Sequence, residues 1–250
     1  MSIRVLPRVL RKGCAVLADA QPLNGNAPPD LRGVFTALKN VFGAQNWWPA
    51  DSVFEVMVGA ILTQNTSWAN VERAIEGLKA RGCLDPSRIL SLRHETLANL
   101  IRPAGYFNVK ARRLVSFCQW YLDQGGYSTL SSWSDDRLRK ALLGVHGVGP
   151  ETADDMLLYA FERPVFVVDA YTRRFFSRLG LVADDIAYEP LRSFAEGSLA
   201  IVPVDERVQL YNELHALIVA HGKSICRPKP HCCECSLRRR CPMGRSEPAR

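Results

Sequence analysis

The 250-residue chain has no run of eighteen or more uncharged apolar residues, so no segment of it reads as a membrane-spanning helix. It also lacks an alternating apolar–polar strand series and any internal repeat, which sets aside β-barrels, sandwiches and solenoids. Its last 29 residues are short of acid. From Gly222 to Arg250 only Glu234 and Glu247 oppose Lys223, Arg227, Lys229, Arg238, Arg239, Arg240, Arg245 and Arg250, so this stretch carries +6 of the chain's +7. Such a local excess is the footprint of a polyanionic partner, or else a solvated tail. Arg4, Arg8, Arg11 and Lys12 make the N-terminus basic, and Pro7 breaks its apolar residues; a secretory signal is not expected and the cytoplasm is the expected compartment.

What is present is a sizeable apolar fraction: 47% of residues are hydrophobic and 23% charged, the balance of a soluble globular chain of one large or two small domains. Residues 1–28 end in a turn-rich stretch with Pro22, Gly25, Pro28 and Pro29 and read as an N-terminal extension. Beyond them the apolar period is helical. Phe54, Met57, Val58, Ile61 and Leu62 share one face, and Val71, Ile75 and Leu78 another after the Asn65-Thr66-Ser67 break. Leu138, Ala141 and Leu142 follow a cap at Ser134; Met156, Leu157 and Ala160 form a further face; Leu210, Leu214, Leu217 and Ile218 mark a late helix that includes His215. Only Val165-Phe166-Val167-Val168 has strand character, and it is too short to separate strand from buried connector. The fold class is all-α.

Leu142 to Ala153 is the most informative stretch. A helix ends near Gly144, Gly147 and Gly149 frame a tight turn around Val148, and Pro150 opens a second helix in the first turn, where its missing N–H is harmless. The free N–H groups at such a helix start suit a phosphate oxygen, although a lone Gly-x-Gly also fits an ordinary helical corner. Val167-Val168-Asp169-Ala170-Tyr171-Thr172 follows, where Asp169 can cap the next helix.

Hairpin and downstream Val-Asp together resemble the helix-hairpin-helix glycosylases, the superfamily of endonuclease III, over about Val34 to Cys241. The resemblance implies two helical lobes with the active site between them: 51–163 as a six-helix lobe carrying the hairpin (138–157), 29–50 plus 164–225 as the second lobe, 226–241 as an iron–sulfur loop, and 242–250 as a basic tail. It implies Asp169 as the catalytic carboxylate and the Gly147-Val148-Gly149 turn as the grip on DNA backbone. Gln64, in Ala60-Ile61-Leu62-Thr63-Gln64-Asn65-Thr66, matches the residue that fills the gap left by an extruded base; Tyr106, in Gly105-Tyr106-Phe107-Asn108, matches a second wedge. Taken alone, Gln64 is a helix-end polar residue and Tyr106 a packed aromatic.

Bifunctional members carry a nucleophilic lysine just after the position of Pro150, and here that position is Glu151. The resemblance then implies a glycosylase without efficient strand cleavage, unless Lys110 or Lys223 substitutes; an acid there also suits the helix dipole. Trp47-Trp48-Pro49, Trp68, Glu151 and Lys223 are similar to pocket residues of the 3-methyladenine branch, which implies an alkylated purine as the base removed. Each tryptophan also suits plain core packing. The best-known members of that branch lack a cysteine loop, whereas here five cysteines fall within sixteen residues. Cys226, Cys232, Cys235 and Cys241 are spaced five, two and five residues apart; taking Cys233 in place of Cys232 lengthens the first gap to six and leaves one residue before Cys235. Four thiolates suit a 4Fe-4S cluster or a tetrahedral zinc, and the resemblance implies the cluster. The expected partner is double-stranded DNA bearing a damaged base, met by a monomer away from any membrane. The alternatives are an endonuclease III-like glycosylase and lyase for oxidised pyrimidines or mismatches, and a DNA-binding protein without catalysis.

Overall fold

The structure, a computed structural model, describes residues 30–246, so the expected extension over 1–28 and the end of the basic tail lie outside the described residues. Among the described residues there are thirteen α-helices and no strand. They run α1 (Leu31–Phe42), α2 (Val53–Leu62), α3 (Trp68–Ala80), α4 (Pro86–Ser91), α5 (His94–Leu100), α6 (Phe107–Asp123), α7 (Gly126–Ser131), α8 (Asp135–Leu143), α9 (Pro150–Asp155), α10 (Ala170–Arg178), α11 (Tyr188–Ser198), α12 (Val204–Ser224) and α13 (Pro242–Ser246).

Between residues 51 and 163, where six helices are expected, the described chain makes eight. The extra ones are short. Asp85 caps and Pro86 opens α4, and Gly125 and Gly126, both at positive φ, separate α7 from α6. Val165–Val168 is a buried connector without strand pairing, and the face built on Met156, Leu157 and Ala160 is a π-helical turn (Met156–Ala160) continuing α9.

Two apolar cores result. One gathers α2 to α9 around α2, which is apolar on nearly every side and therefore central. The other gathers α1, α10, α11 and α12 with the Phe166–Val168 connector. The chain crosses between them twice, through residues 43–50 and 161–169, and Tyr159 packs against both. An ion network bridges the lobes beside the hairpin. Arg139 of α8 donates to both oxygens of the fully buried Asp154 of α9, at 2.6 and 3.1 Å, and to Glu189 of α11 at 2.7 Å. Tyr188 donates its hydroxyl to Asp154 at 2.9 Å. Both crossings and the hairpin therefore meet at one junction.

Candidate active site at the lobe junction

The hairpin turn is anchored from below. Val145 and Val148 bury their side chains in the first core, and the Val148 amide donates to the Val145 carbonyl at 3.0 Å. Of the three turn residues expected to grip backbone, Val148 thus has its N–H engaged, while the amides of Gly147 and Gly149 donate to no other group among the described residues. Gly147 sits at φ 86°, and a Cβ there would run into the Arg113 side chain. Gln64 is tied to the same turn, its Nε2 donating to the Gly147 carbonyl at 3.0 Å and the Thr152 hydroxyl at 2.9 Å, while Arg113 donates to its Oε1. Tyr106 stands out from the surface, 71% exposed, on a left-handed residue that starts α6.

Asp169 caps α10, its Oδ1 accepting the Thr172 amide at 2.7 Å. Its Oδ2 lies 3.5 Å from His215 Nε2, and His215 Nδ1 is 2.5 Å from the Tyr159 hydroxyl. Burial pushes the Asp169 carboxyl up, but His215 and the Thr172 amide outweigh it and hold the group below its ordinary value. The opposite holds for Glu151. It is exposed at the surface, yet the protein crowding its carboxyl and the charge of Asp169 raise its pKa against the pull of His215 and Arg173. Asp155, one turn further along α9 and buried, is raised well above its ordinary value by burial, then by Glu151, Asp169 and Asp154.

Aromatic rings line the approach. Trp47 stacks on His215 at 5.7 Å with 3° between planes, and on Trp48 at 5.7 Å; Trp48 meets Trp68 edge-on at 4.8 Å and Tyr159 at 5.1 Å. Trp68 is fixed by its indole N–H to Glu72 at 2.8 Å. Pro49 follows them at the exposed start of the first lobe. Lys223 holds its Nζ 6.0 Å from the Trp47 and Tyr171 ring centres, with burial lowering its pKa against the pull of Asp169 and Glu72. The structure thus brings Trp47, Trp48, Trp68, Glu151, Lys223 and Asp169 to one junction, with Gln64 and the glycine turn on the neighbouring end of α9.

The sequence profile of the HhH-GPD superfamily of base excision DNA repair proteins matches residues 58–199, more than half of the chain. The chain belongs to that superfamily. A Methanocaldococcus jannaschii protein assigned to the DNA repair glycosylases is 45% identical over 211 residues, 83% of this chain and 94% of its own. Endonuclease III of Sulfolobus acidocaldarius is 30% identical over 192 residues, 76% of this chain and 82% of its own. Among solved structures, the Helicobacter pylori 3-methyladenine DNA glycosylase MagIII bound to 1,N6-ethenoadenine superposes with a TM-score of 0.68 at 30% identity, covering 78% of this chain and 98% of that one.

Neither lysine weighed against Glu151 occupies its place in this HhH-GPD chain. Lys110 is 1% exposed and donates to the Leu62 and Ala104 carbonyls, both at 2.8 Å, tying down the end of α2; burial and the nearby Arg113 lower its pKa to about 8. Lys223 alone of the two reaches the junction. Sequence reading missed Tyr159 and His215. Each sits in an apolar helical row where a polar tip reads as packing, and only the π turn and the crossing chains turn both toward Asp169.

The cysteine loop folds under α10 and the end of α12. Cys226, Cys232, Cys235 and Cys241 line one enclosed, almost wholly apolar cavity with Phe175, Ile225 and Leu237, whereas Cys233 is exposed outside it. Arg178 donates to Cys226 Sγ at 3.5 Å and His221 Nε2 lies 3.8 Å from Cys235 Sγ. The Cys235 thiol is pushed up to about 12 by burial and by the neighbouring Cys226, Cys241 and Cys232. Four cysteines lining one apolar cavity supply the donor set of a thiolate-bound metal group, which would relieve that mutual cost. Among the described residues no three ligand-type side chains close on a single-ion centre. No described helix is long and apolar enough to cross a membrane.

Proposed function

We propose that the chain is a monofunctional DNA glycosylase that hydrolyses the N-glycosidic bond of an alkylated purine flipped out of duplex DNA. The observation that carries this reading is the pairing at the junction of an ionised Asp169 with Glu151, which stands where bifunctional relatives have a lysine. As the glycosidic bond breaks, positive charge grows on the sugar, and a fixed carboxylate stabilises it and orients the attacking water. Without an amine at position 151, the first step ends in hydrolysis rather than a Schiff base. Trp47, Trp48, Pro49 and Trp68 supply faces for a base, and Glu151 favours one that carries positive charge, with Lys223 at the rim. The modified purine in the similar MagIII structure agrees with this substrate class.

DNA would be held by the free Gly147 and Gly149 amides on a phosphate and by the basic C-terminal stretch, with Gln64 and Tyr106 entering the duplex where the base leaves. Cys226, Cys232, Cys235 and Cys241 would hold a 4Fe-4S cluster. Its contribution when bound is to fix the loop and present Arg227, Lys229 and Arg238–Arg240 to phosphates. A tetrahedral zinc on the same four thiolates is the alternative.

The test is to incubate the protein with methylated duplex DNA and, separately, with uracil, thymine glycol and mismatch duplexes. Free base and alkali-independent strand breaks are read in each. Release of 3-methyladenine without breaks is the expected result. Breaks on an oxidised pyrimidine would overturn the monofunctional reading and point to Lys223 as the amine.

A further inference from the structure

We propose that Lys110 is a positioning residue for base extrusion: one buried ammonium holds at a fixed spacing the two loops whose tips, Gln64 and Tyr106, enter the duplex. This rests on the reading above of Gln64 and Tyr106 as the groups that fill the gap. Lys110 Nζ donates to the Leu62 carbonyl and to the Ala104 carbonyl, each at 2.8 Å. Leu62 is the last residue of α2 and stands two residues before Gln64. Ala104 is the last residue of a 3-10 turn, Arg102–Ala104, and stands two residues before Tyr106. The same side chain therefore grips both loops at the matching point, and the two carbonyl oxygens lie no further apart than two hydrogen bonds.

Helix-end chemistry explains why a lysine serves here. The final carbonyls of a helical segment have no partner within it and carry the negative end of its dipole. Two such ends meeting at one buried point repel each other. An ammonium, with three donors and no acceptor, satisfies both at once. Lys110 rises from the first turn of α6, where its own amide donates to the Tyr106 carbonyl at 2.9 Å. Its side chain is enclosed by protein, so it acts on DNA only through the loops it holds.

The two tips need a hold from below. Tyr106 is exposed, so its placement depends on its backbone. Gly105 at φ 70° and Tyr106 at φ 46° both lie in the left-handed region, which a tyrosine keeps only where its surroundings impose it. Gln64 is anchored through its side chain, to the Gly147 carbonyl, the Thr152 hydroxyl and Arg113. Entering the duplex breaks those contacts, and the backbone hold at Leu62 then keeps Gln64 in register with Tyr106.

The test is equilibrium binding to a duplex carrying a tetrahydrofuran abasic analogue opposite 2-aminopurine, and to an undamaged duplex of the same length. The 2-aminopurine brightens when it is unstacked. Wild type, Lys110→Met, the Gln64→Ala/Tyr106→Ala double variant and the triple variant are compared. Methionine keeps the bulk of the stem and removes the donors. Lys110→Met is expected to lose about tenfold in preference for the abasic duplex, the scale of the hydrogen bonds removed, and most of the 2-aminopurine signal, while binding undamaged duplex nearly as wild type does. In the triple variant the Lys110 change adds about twofold or less, because the groups it positions are already gone. Losses that multiply in the triple variant, or a Lys110→Met that weakens both duplexes equally, mean a general stabilising role and overturn the proposal. A double variant that keeps the full preference for the abasic duplex overturns the reading of Gln64 and Tyr106, and the proposal with it; base release by the wild type still decides the glycosylase reading. If Lys110→Met does not fold, Lys110→Gln, with its N–H donors on a shorter stem, goes through the same cycle and the same outcomes decide.

Discussion

Removing Arg139 should be among the most damaging single changes in the chain. Asp154 is completely buried and holds two bonds from Arg139 and one from Tyr188, with Arg192 Nε 3.9 Å away. Arg139→Ala strands that carboxylate with one hydroxyl and a distant guanidinium. Breaking a buried pair from one side costs about 3–5 kcal/mol, and Arg192 brings the figure to the lower end, about 3 kcal/mol. In a chain of this size that is a fall of about 6–12 °C in the unfolding midpoint. Asp154→Asn should cost less, about 1–2 kcal/mol, because Arg139 keeps Glu189 at 2.7 Å and an amide oxygen. The cost of Arg139→Ala should also shrink in acid, where the stranded carboxyl can be neutralised by a proton. Urea unfolding of the two variants, with slopes compared to confirm that the unfolded states match, measures both. An Arg139→Ala cost below about 1 kcal/mol, the size typical of an exposed pair, or a larger cost for Asp154→Asn, would show that the buried Asp154 does not depend on Arg139.

Two further outcomes follow from the site. Glu151 has a higher pKa folded than unfolded, so the folded state gains the extra proton and is favoured as pH falls toward 4.5. Glu151→Gln should therefore stabilise the fold at pH 7, by less than about 1 kcal/mol for so exposed a side chain, and raise the thermal midpoint accordingly. That advantage should fade on acidification, and thermal melts from pH 4.5 to 7.5 check the trend. Cys232→Ser should lose bound metal and destabilise the loop, while Cys233→Ser, outside the cavity, should keep both; iron, zinc and sulfide analysis of the purified variants measures this.

Much of this was legible in the residues because it is local. Helical period marks α2, α3 and α12, Ser134 caps α8 as its position suggests, and Gly147, Gly149 and Pro150 announce the hairpin through their own backbone preferences. What was not legible is long-range. No spacing rule brings His215 to Asp169 across 46 residues, or turns Tyr159 between two cores, because a π turn is a product of packing rather than of propensity. The Arg139–Asp154–Tyr188 network was hidden for the same reason: each member alone reads as a surface residue on a short helix. Val165–Val168 was ambiguous because a buried connector and a strand demand the same apolar side chains.

The catalytic role of Asp169 is tested by comparing wild type and Asp169→Asn on the same methylated duplex, scoring free base, strand breaks and DNA affinity together. Asparagine can still cap α10, so the fold and the DNA grip should survive. The wild type should release base without strand breaks, and the variant should lose about a hundredfold or more of that release, with affinity unchanged. Undiminished base release by Asp169→Asn, or a variant that fails only because it no longer binds DNA, would contradict that role.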